Sequence, residues 1–320
     1  MPLGQVVYRA EGKLDYGNAP RATPLVVGLR AYLFGAFGHA ACVNLETMET
    51  VWQRNLAAEY HTPELPWGLT GSPVMAGDIL VVQPGGLAAD VVGLNPETGE
   101  TVWTSEAGKP GHSSGVVTTV AGRTQLIGYD ATSLVGWDAT SGERLWSIVP
   151  PLLGDFNVPT PIIHDNRVLV TTENNGARLY QFDENGILNP TPVAANGNVN
   201  PDSHTPVLSR DRVYGVVGGL HCLDAQTLEP RWLLDDSAFY AYTSLVASGA
   251  KLLAFTSACE LILIDDNGDA GRIVDRLKLV DDGAKSYSHP ALAGTRLYVR
   301  LGRNLICLDL ADAPSSAADR

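Results

Sequence analysis

Residues 93–103 read GLNPETGETVW, and residues 136–146 read GWDATSGERLW. Looser copies are VNLETMETVW at 43–52 and CLDAQTLEPRW at 222–232. In each copy an Asn or Asp stands eight residues before a Trp; the pairs are Asn44 and Trp52, Asn95 and Trp103, Asp138 and Trp146, and Asp224 and Trp232. An Asn or Asp side chain can cap a tight turn, and Gly99 and Gly142 permit positive φ there. The motif therefore predicts a turn between two strands, with the Trp packed between neighbouring repeats.

Weaker copies of the motif occupy the rest of the chain. Asp183, Asp265 and Asp309 begin degenerate copies, with Thr191 and Ile273 at the Trp position of the first two. Two short apolar strands joined by a tight turn precede each of the seven anchors, as in SPVMAGDILVV and TPIIHDNRVLV. Four short strands in every ~44 residues are typical of a propeller blade. The sequence therefore predicts an all-β fold, a seven-bladed β-propeller of four-stranded antiparallel blades.

The two ends of the chain complete this prediction. The last repeat has no fourth strand, and an apolar segment, LGQVVYRAEG (3–12), precedes the first repeat. We expect residues 1–15 to supply the outer strand of blade seven, because closing the ring in this way removes an open sheet edge. Residues 1–312 then form a single domain, and residues 313–320 form a flexible C-terminal tail.

Composition narrows the classes of partner. The chain has 320 residues, of which 45% are hydrophobic and 18% charged, and its net charge is −13. This composition excludes collagen, coiled coil and wholesale disorder. An acidic protein repels phosphate backbones, so neither nucleic acid nor an anionic membrane surface is an expected partner. No membrane span and no signal peptide are visible; we expect a cytoplasmic chain as given, and a periplasmic or secreted one if a leader has been removed.

The four cysteines show no CxxC spacing, so neither a zinc knuckle nor a redox pair is indicated. Cys42, Cys222 and Cys307 each stand two residues before an anchor, on one face of a predicted third strand. We expect them to be free, buried core residues.

The combination of D-x-x-T-G-x-x-x-W with SPxxxGDxLxV resembles the PQQ-like β-propeller repeat family, over roughly residues 20–310. The stretch WGLTGSPVMAGDILVVQPGG (67–86) looks most like uncharacterised bacterial members. The resemblance implies the fold, and it does not imply that the quinone cofactor PQQ is bound. The family's dehydrogenases resemble eight-bladed propellers with an adjacent Cys-Cys pair, which this sequence lacks. PQQ is therefore not an expected cofactor. The outer-membrane assembly scaffold of the family resembles eight blades and carries a lipobox, which is also missing here.

Propellers bind ligands at the mouth of the central channel, between the loops that enter the innermost strands and the loops between strands two and three. Aligning the repeats places polar and aromatic side chains there. They are Arg21, His112, Asn157, His204, Tyr242, Tyr287 and His289 from the first set of loops, and Gln83, Glu173, Asn174 and Arg300 from the second. The loop from Trp52 to Pro73 is longer than its counterparts, and insertions on one face of a repeat protein often form the binding face. It carries Trp67, which either stacks on a ligand or partner or seals the loop to its blade.

Two functions follow from these residues. The first is a binding or scaffold propeller that recognises a protein or a polar small molecule at the channel-mouth face. Its ligand-binding residues would be Arg21, Trp67, Gln83, Asn157, Glu173, Asn174 and Arg300. The alternative is a small-molecule enzyme of lyase, isomerase or hydrolase type. In it His112, His204 and His289 would act as acid–base groups or as ligands of a divalent metal, with Tyr242 and Tyr287 in the catalytic set. Each histidine could instead cap a turn. We expect a monomer, and the sequence identifies no cofactor.

Overall fold

A computed structural model of the chain describes residues 21–266, 268–280, 283–302 and 304–311. Its secondary structure is almost entirely short antiparallel strands, arranged in seven separate sheets. In every sheet the strands are hydrogen-bonded to one another in the order in which they follow along the chain. Contacts divide the chain into two compact units, Met1–Asp202 and Ser203–Arg320.

The first unit contains four sheets of four strands each. Sheet one consists of Leu25–Val27 (β1), Arg30–Phe34 (β2), His39–Asn44 (β3) and Thr50–Asn55 (β4). Sheet two consists of Val74–Ala76 (β5), Ile79–Val82 (β6), Val92–Leu94 (β7) and Thr101–Thr104 (β8). Sheet three consists of Val116–Val120 (β9), Arg123–Tyr129 (β10), Leu134–Asp138 (β11) and Arg144–Ile148 (β12). Sheet four consists of Ile162–His164 (β13), Arg167–Thr172 (β14), Gly176–Gln181 (β15) and Ala194–Asn196 (β16). A four-residue helix, Leu56–Glu59 (α1), follows β4.

The second unit contains three sheets, and a 3-10 turn at Ser237–Tyr240 separates the first two. Sheet five consists of Val207–Ser209 (β17), Arg212–Val216 (β18), Leu220–Asp224 (β19) and Pro230–Leu234 (β20). Sheet six consists of Thr243–Ser248 (β21), Lys251–Thr256 (β22), Glu260–Asp265 (β23) and Arg272–Lys278 (β24). Sheet seven consists of Ala291–Ala293 (β25), Arg296–Leu301 (β26) and Asn304–Asp309 (β27).

The Asn/Asp anchors cap the turns between third and fourth strands, as predicted. The Oδ1 atom of Asn95 accepts hydrogen bonds from the N–H groups of Glu97 (2.8 Å) and Thr98 (3.1 Å). Asp224 holds its turn in the same way through Gln226 and Thr227. Such side-chain caps replace backbone hydrogen bonds that a tight turn cannot make. The repeated anchor therefore fixes where each outer hairpin turns.

Each repeat Trp is buried, and Trp52, Trp103 and Trp232 donate a hydrogen bond to the next sheet or its turn, whereas Trp146 donates to Gln125 of its own sheet. The Nε1 atom of Trp52 donates to Pro96 O (2.8 Å), and that of Trp103 donates to Ala139 O (3.2 Å). The residue opposite each Trp on the third strand is small. It is Cys42, Gly93, Gly136 or Cys222, opposite Trp52, Trp103, Trp146 and Trp232 respectively. A Cβ on Gly93 would lie 2.3 Å from the Trp103 ring. The cysteines thus occupy positions that must be small so that an indole can lie across the strand.

Apolar faces of consecutive sheets pack on one another inside each unit. In the first unit three buried clusters join sheets one and two, two and three, and three and four. In the second unit two clusters join sheets five and six, and six and seven. Together with the repeated Trp contacts, these seven consecutive antiparallel sheets are the blades of a seven-bladed β-propeller. The predicted fold class is confirmed.

Three details differ from the sequence prediction or lie outside the described residues. The outer strand of sheet four begins at Ala194, so Thr191 does not occupy the Trp position; the turn after Asp183 is longer and closes through a Phe182–Leu188 bridge. Cys307 is exposed rather than buried, because it lies on β27, the last strand of a sheet with three described strands. The closing strand predicted for residues 1–15 and the tail predicted for 313–320 fall on residues that the structure does not describe.

No helix in the described part of the chain is long and apolar enough to cross a membrane.

Candidate functional site

The long insertion after β4 is packed against its own unit at both ends. Asn55 caps α1 by accepting a hydrogen bond from Ala58 N–H (3.1 Å). Tyr60 is buried, and its hydroxyl is hydrogen-bonded to the Thr101 hydroxyl at 2.7 Å. Leu69 is also buried, and its N–H donates to Ala36 O (2.9 Å). The segment between these anchors, which contains Trp67, is therefore held in place at the end of sheets one and two.

Trp67 forms the centre of an aromatic cluster. Its ring makes edge-to-face contacts with His112, at 5.0 Å between centroids, and with Phe156, at 4.9 Å. Edge-to-face pairs add favourable energy beyond the area that they bury. The Nε atom of Arg21 donates to Trp67 O (3.1 Å). The cluster thus joins three different sheet-to-sheet connections of the first unit.

Next to this cluster the connection from β12 to β13 exposes apolar side chains. Leu152 is 58% exposed, Leu153 71% and Phe156 47%. The backbone of this loop is tightly held: Leu152 N–H donates to Asn175 Oδ1 (3.0 Å), and Asn175 Nδ2 donates to Leu152 O (2.7 Å). These two hydrogen bonds hold the loop backbone at Leu152, next to the exposed side chains. We call Trp67, Leu152, Leu153 and Phe156 the mouth patch.

Two carboxylates border the mouth patch. Glu173 Oε1 accepts a hydrogen bond from Phe156 N–H, and its Oε2 is buried without a hydrogen-bond partner in the described part of the chain. Asp155 accepts from Asn174 N–H (2.8 Å) and from Asn175 Nδ2 (2.6 Å). Burial raises the pKa of Glu173, and the negative charges of Asp155 and Asp202 raise it further.

Asn157 and His112 lie deeper in the same region. Asn157 is buried, adopts φ +54°, and donates through Nδ2 to Asp130 O (3.2 Å). His112 N–H donates to Asn157 O (3.2 Å), and its ring nitrogen Nδ1 lies 3.5 Å from the Thr70 hydroxyl. Burial lowers the pKa of His112, and the charge of Arg21 lowers it further, so both favour the neutral imidazole. Both residues support loop structure.

A buried polar network lies between sheets two and three. Gln83 Nε2 donates to Asp90 Oδ1 (3.2 Å) and to Tyr129 O (2.8 Å), so Gln83 is a structural bridge here. Asp90 is 0% exposed, and its Oδ2 has no hydrogen-bond partner in the described residues. Burial raises the pKa of Asp90 to about 7, with a further contribution from Asp130 and opposition from the Gln83 hydrogen bond. Asp130 is itself paired with Arg144 at 2.9 Å.

The remaining predicted site residues belong to the second unit. The Nε2 atom of His204, a buried residue, accepts a hydrogen bond from Val216 N–H (3.0 Å). Tyr242 and Tyr287 are brought together in an edge-to-face pair, 5.6 Å between centroids. Desolvation lowers the pKa of His289, although part of this residue is exposed. Arg300 is exposed and donates through Nε to Gly302 O (3.1 Å).

The histidine set therefore divides between the units, with His112 in the first and His204 and His289 in the second. Throughout residues 21–311 as described, no group of three or more His, Cys, Asp or Glu side chains is arranged to hold a metal ion. A metal bound through Nε2 of His204 would also have to displace the hydrogen bond from Val216 N–H. The three-histidine set remains a prediction.

Sequence reasoning missed the leucines of the mouth patch and the buried Asp90. The available signal was PPLLGDF at 150–156, two consecutive leucines between Pro and Gly in a stretch with no strand alternation. Adjacent apolar residues in a turn-rich loop cannot both point into one core.

The comparisons with known proteins agree with this architecture. Residues 87–214 match the family model described as outer membrane protein assembly factor BamB. The fold is similar to the crystal structure of BamB from Moraxella catarrhalis (TM-score 0.62, 16% identity, 88% of this chain and 79% of that chain). It is also similar to a quinohemoprotein alcohol dehydrogenase from Comamonas testosteroni (TM-score 0.63, 11% identity, 88% of this chain and 62% of that one). A computationally designed protein, Ika8, is a further neighbour (TM-score 0.61, 12% identity, 94% and 85%). A search of curated protein sequences gave no significant match.

The chain is thus a β-propeller by fold. The match over residues 87–214 supports the resemblance to PQQ-like propellers that the sequence predicts. At these identities the structural neighbours establish the fold alone.

Proposed function

We propose that this chain is a non-catalytic binding propeller that holds a polypeptide partner on the mouth patch. The observation that carries the proposal is the exposure of Leu152, Leu153 and Phe156 on one loop, with Phe156 in edge-to-face contact with Trp67 and the loop backbone held at Leu152. Contiguous apolar side chains at a rigid surface are typical of interaction sites. Aromatic residues are also enriched among those that contribute most to binding.

The family description supports the same role. The family model that matches residues 87–214 is described as an outer membrane protein assembly factor, a description that fits a role in binding polypeptides. The other predicted ligand-binding residues fit this proposal as supports: Arg21 holds the Trp67 backbone, while Gln83, Asn157 and Asn174 fix neighbouring loops. The enzyme alternative has less support, because the Nε2 atom of His204 already accepts a backbone hydrogen bond from Val216 N–H.

Photo-cross-linking tests the proposal. A photoreactive amino acid replaces Leu153 in cells that naturally produce the protein, and the control replaces Val102, which is 55% exposed on the outer strand β8. We expect a discrete cross-linked polypeptide from position 153 that is lost when Phe156 is changed to Ala. The same product from both positions, or no discrete product from position 153, would overturn the proposal.

A further inference from the structure

The carboxylates beside the mouth patch define what kind of partner it fits. We propose that the bound polypeptide segment carries a Lys or Arg flanked by apolar side chains, with the cation placed beside Glu173. This inference rests on the proposed function and deepens it. The apolar side chains would cover Leu152, Leu153 and Trp67, and the basic side chain would lie at the Phe156 end.

The first argument is that the carboxylates lack a cation of their own. Neither Asp155 nor Glu173 forms an ion pair with any Lys or Arg in the described residues. Both are instead hydrogen-bonded to N–H donors of the loops next to Phe156. A carboxylate with no cation of its own at the edge of an apolar surface favours a partner that brings a positive charge.

The second argument is mutual repulsion. Burial raises the pKa of Glu173, backbone hydrogen bonds oppose this, and the negative charges of Asp155 and Asp202 nearby add a smaller rise. Like charges gathered at one edge of an apolar surface attract the opposite charge on a partner and reject acidic segments. The protein's net charge of −13 acts in the same direction over longer distances.

The third argument is that the charge around the patch is uneven. Arg21 lies at the Trp67 end, where it donates to Trp67 O and lowers the pKa of His112. The carboxylates lie at the Phe156 end. A basic side chain is therefore favoured next to the carboxylates and disfavoured next to Arg21. Lys and Arg also suit the neighbouring apolar surface, because their stems pack on it and their charges interact with aromatic faces.

Two synthetic peptides test the inference by fluorescence anisotropy. Both alternate Leu and Phe with a charged residue, which is Lys in one peptide and Glu in the other. The chain is used intact, as wild type and as three variants: Glu173→Gln, Leu153→Ser, and Glu46→Gln as the control at an exposed carboxylate in the β3–β4 turn. We expect the Lys peptide to bind and the Glu peptide not to. We expect Glu173→Gln and Leu153→Ser each to lower the affinity for the Lys peptide about fivefold or more, and Glu46→Gln to leave this affinity unchanged.

Several results would overturn the inference. They are equal binding of both peptides, no binding of either, or equal weakening by Glu173→Gln and Glu46→Gln. If Leu153→Ser loses binding and Glu173→Gln has no effect, the inferred basic residue in the partner is contradicted, and the proposed function is still supported. Failure of the proposed function itself is detected separately, by the cross-linking experiment at position 153.

Discussion

Replacing Asp90 by Asn should change how the stability of this protein depends on pH. The Asp90 carboxyl is fully buried, one of its oxygens has no partner in the described residues, and its pKa is raised to about 7. An unfolded chain would restore an ordinary Asp pKa of about 3.9. Because the pKa of Asp90 is higher in the folded state than in the unfolded chain, its contribution to the free energy of unfolding is fully present below the pKa of the unfolded chain. This contribution is lost as the pH rises through about 7.

The magnitude follows from this pair of pKa values. Between about pH 5 and about pH 8, ionisation of Asp90 should cost the folded state roughly 2.5 kcal/mol. Asn carries no charge at either pH and keeps an acceptor for Gln83 Nε2. Any constant cost of burying its amide cancels in the comparison between the two pH values. The free energy of unfolding of the variant should therefore rise by about 2.5 kcal/mol relative to that of wild type as the pH is raised over this interval.

Urea unfolding of both proteins at the two pH values measures this difference directly. Asp78→Asn, which removes an exposed carboxylate in the β5–β6 turn, controls for the loss of one negative charge. A relative stability of Asp90→Asn that stays constant within about 0.5 kcal/mol would refute the reasoning. The carboxyl would then be ionised or solvated in the folded protein to the same degree as in the unfolded chain.

Three further predictions follow. Gly142→Ala should lower the free energy of unfolding by about 2–4 kcal/mol, because φ is +77° and the new Cβ would lie 2.4 Å from the Trp103 indole. The control Gly122→Ala has a similar φ of +76° but open space around the new Cβ, so thermal unfolding should show only the loss caused by backbone strain. Elemental analysis should give the same metal content for tag-free wild type and for a His112→Ala/His204→Ala variant. Near-stoichiometric metal in wild type that is absent from the variant would favour the enzyme alternative. Removing residues 1–15 should lower the unfolding midpoint if they supply the missing outer strand, and removing the C-terminal tail should not; equal midpoints would contradict that strand assignment.

The fold was predictable because its signal is periodic and local. Each anchor caps a turn a few residues away, and each Trp needs only the neighbouring repeat, so both leave a pattern in the sequence. The pattern failed at Thr191, where the turn after Asp183 adds residues before β16. It also failed at Cys307, whose burial would require a strand beyond those described. Periodicity locates positions within a repeat, but it does not show what covers them.

The candidate site was predictable only in part. Trp67 was identifiable because it lies in an insertion outside the repeats, and its contacts with His112 and Phe156 show that the insertion reaches two other connections. The loop that carries the exposed Leu153 is held at Leu152 by hydrogen bonds with Asn175, more than twenty residues later. The environment of Asp90 likewise depends on a neighbouring sheet. Long-range contacts of this kind leave no mark in local sequence patterns.

The most direct test of the account is the affinity of the cross-linked partner for purified protein. Binding is compared among wild type, Leu153→Ser, Phe156→Ala and the control Val102→Ser, an exposed apolar side chain on β8. The account predicts that each patch substitution weakens binding about tenfold or more, at unchanged unfolding midpoint, and that the control binds like wild type. Patch variants that bind as tightly as wild type would contradict it, because the partner would then be held elsewhere on the protein.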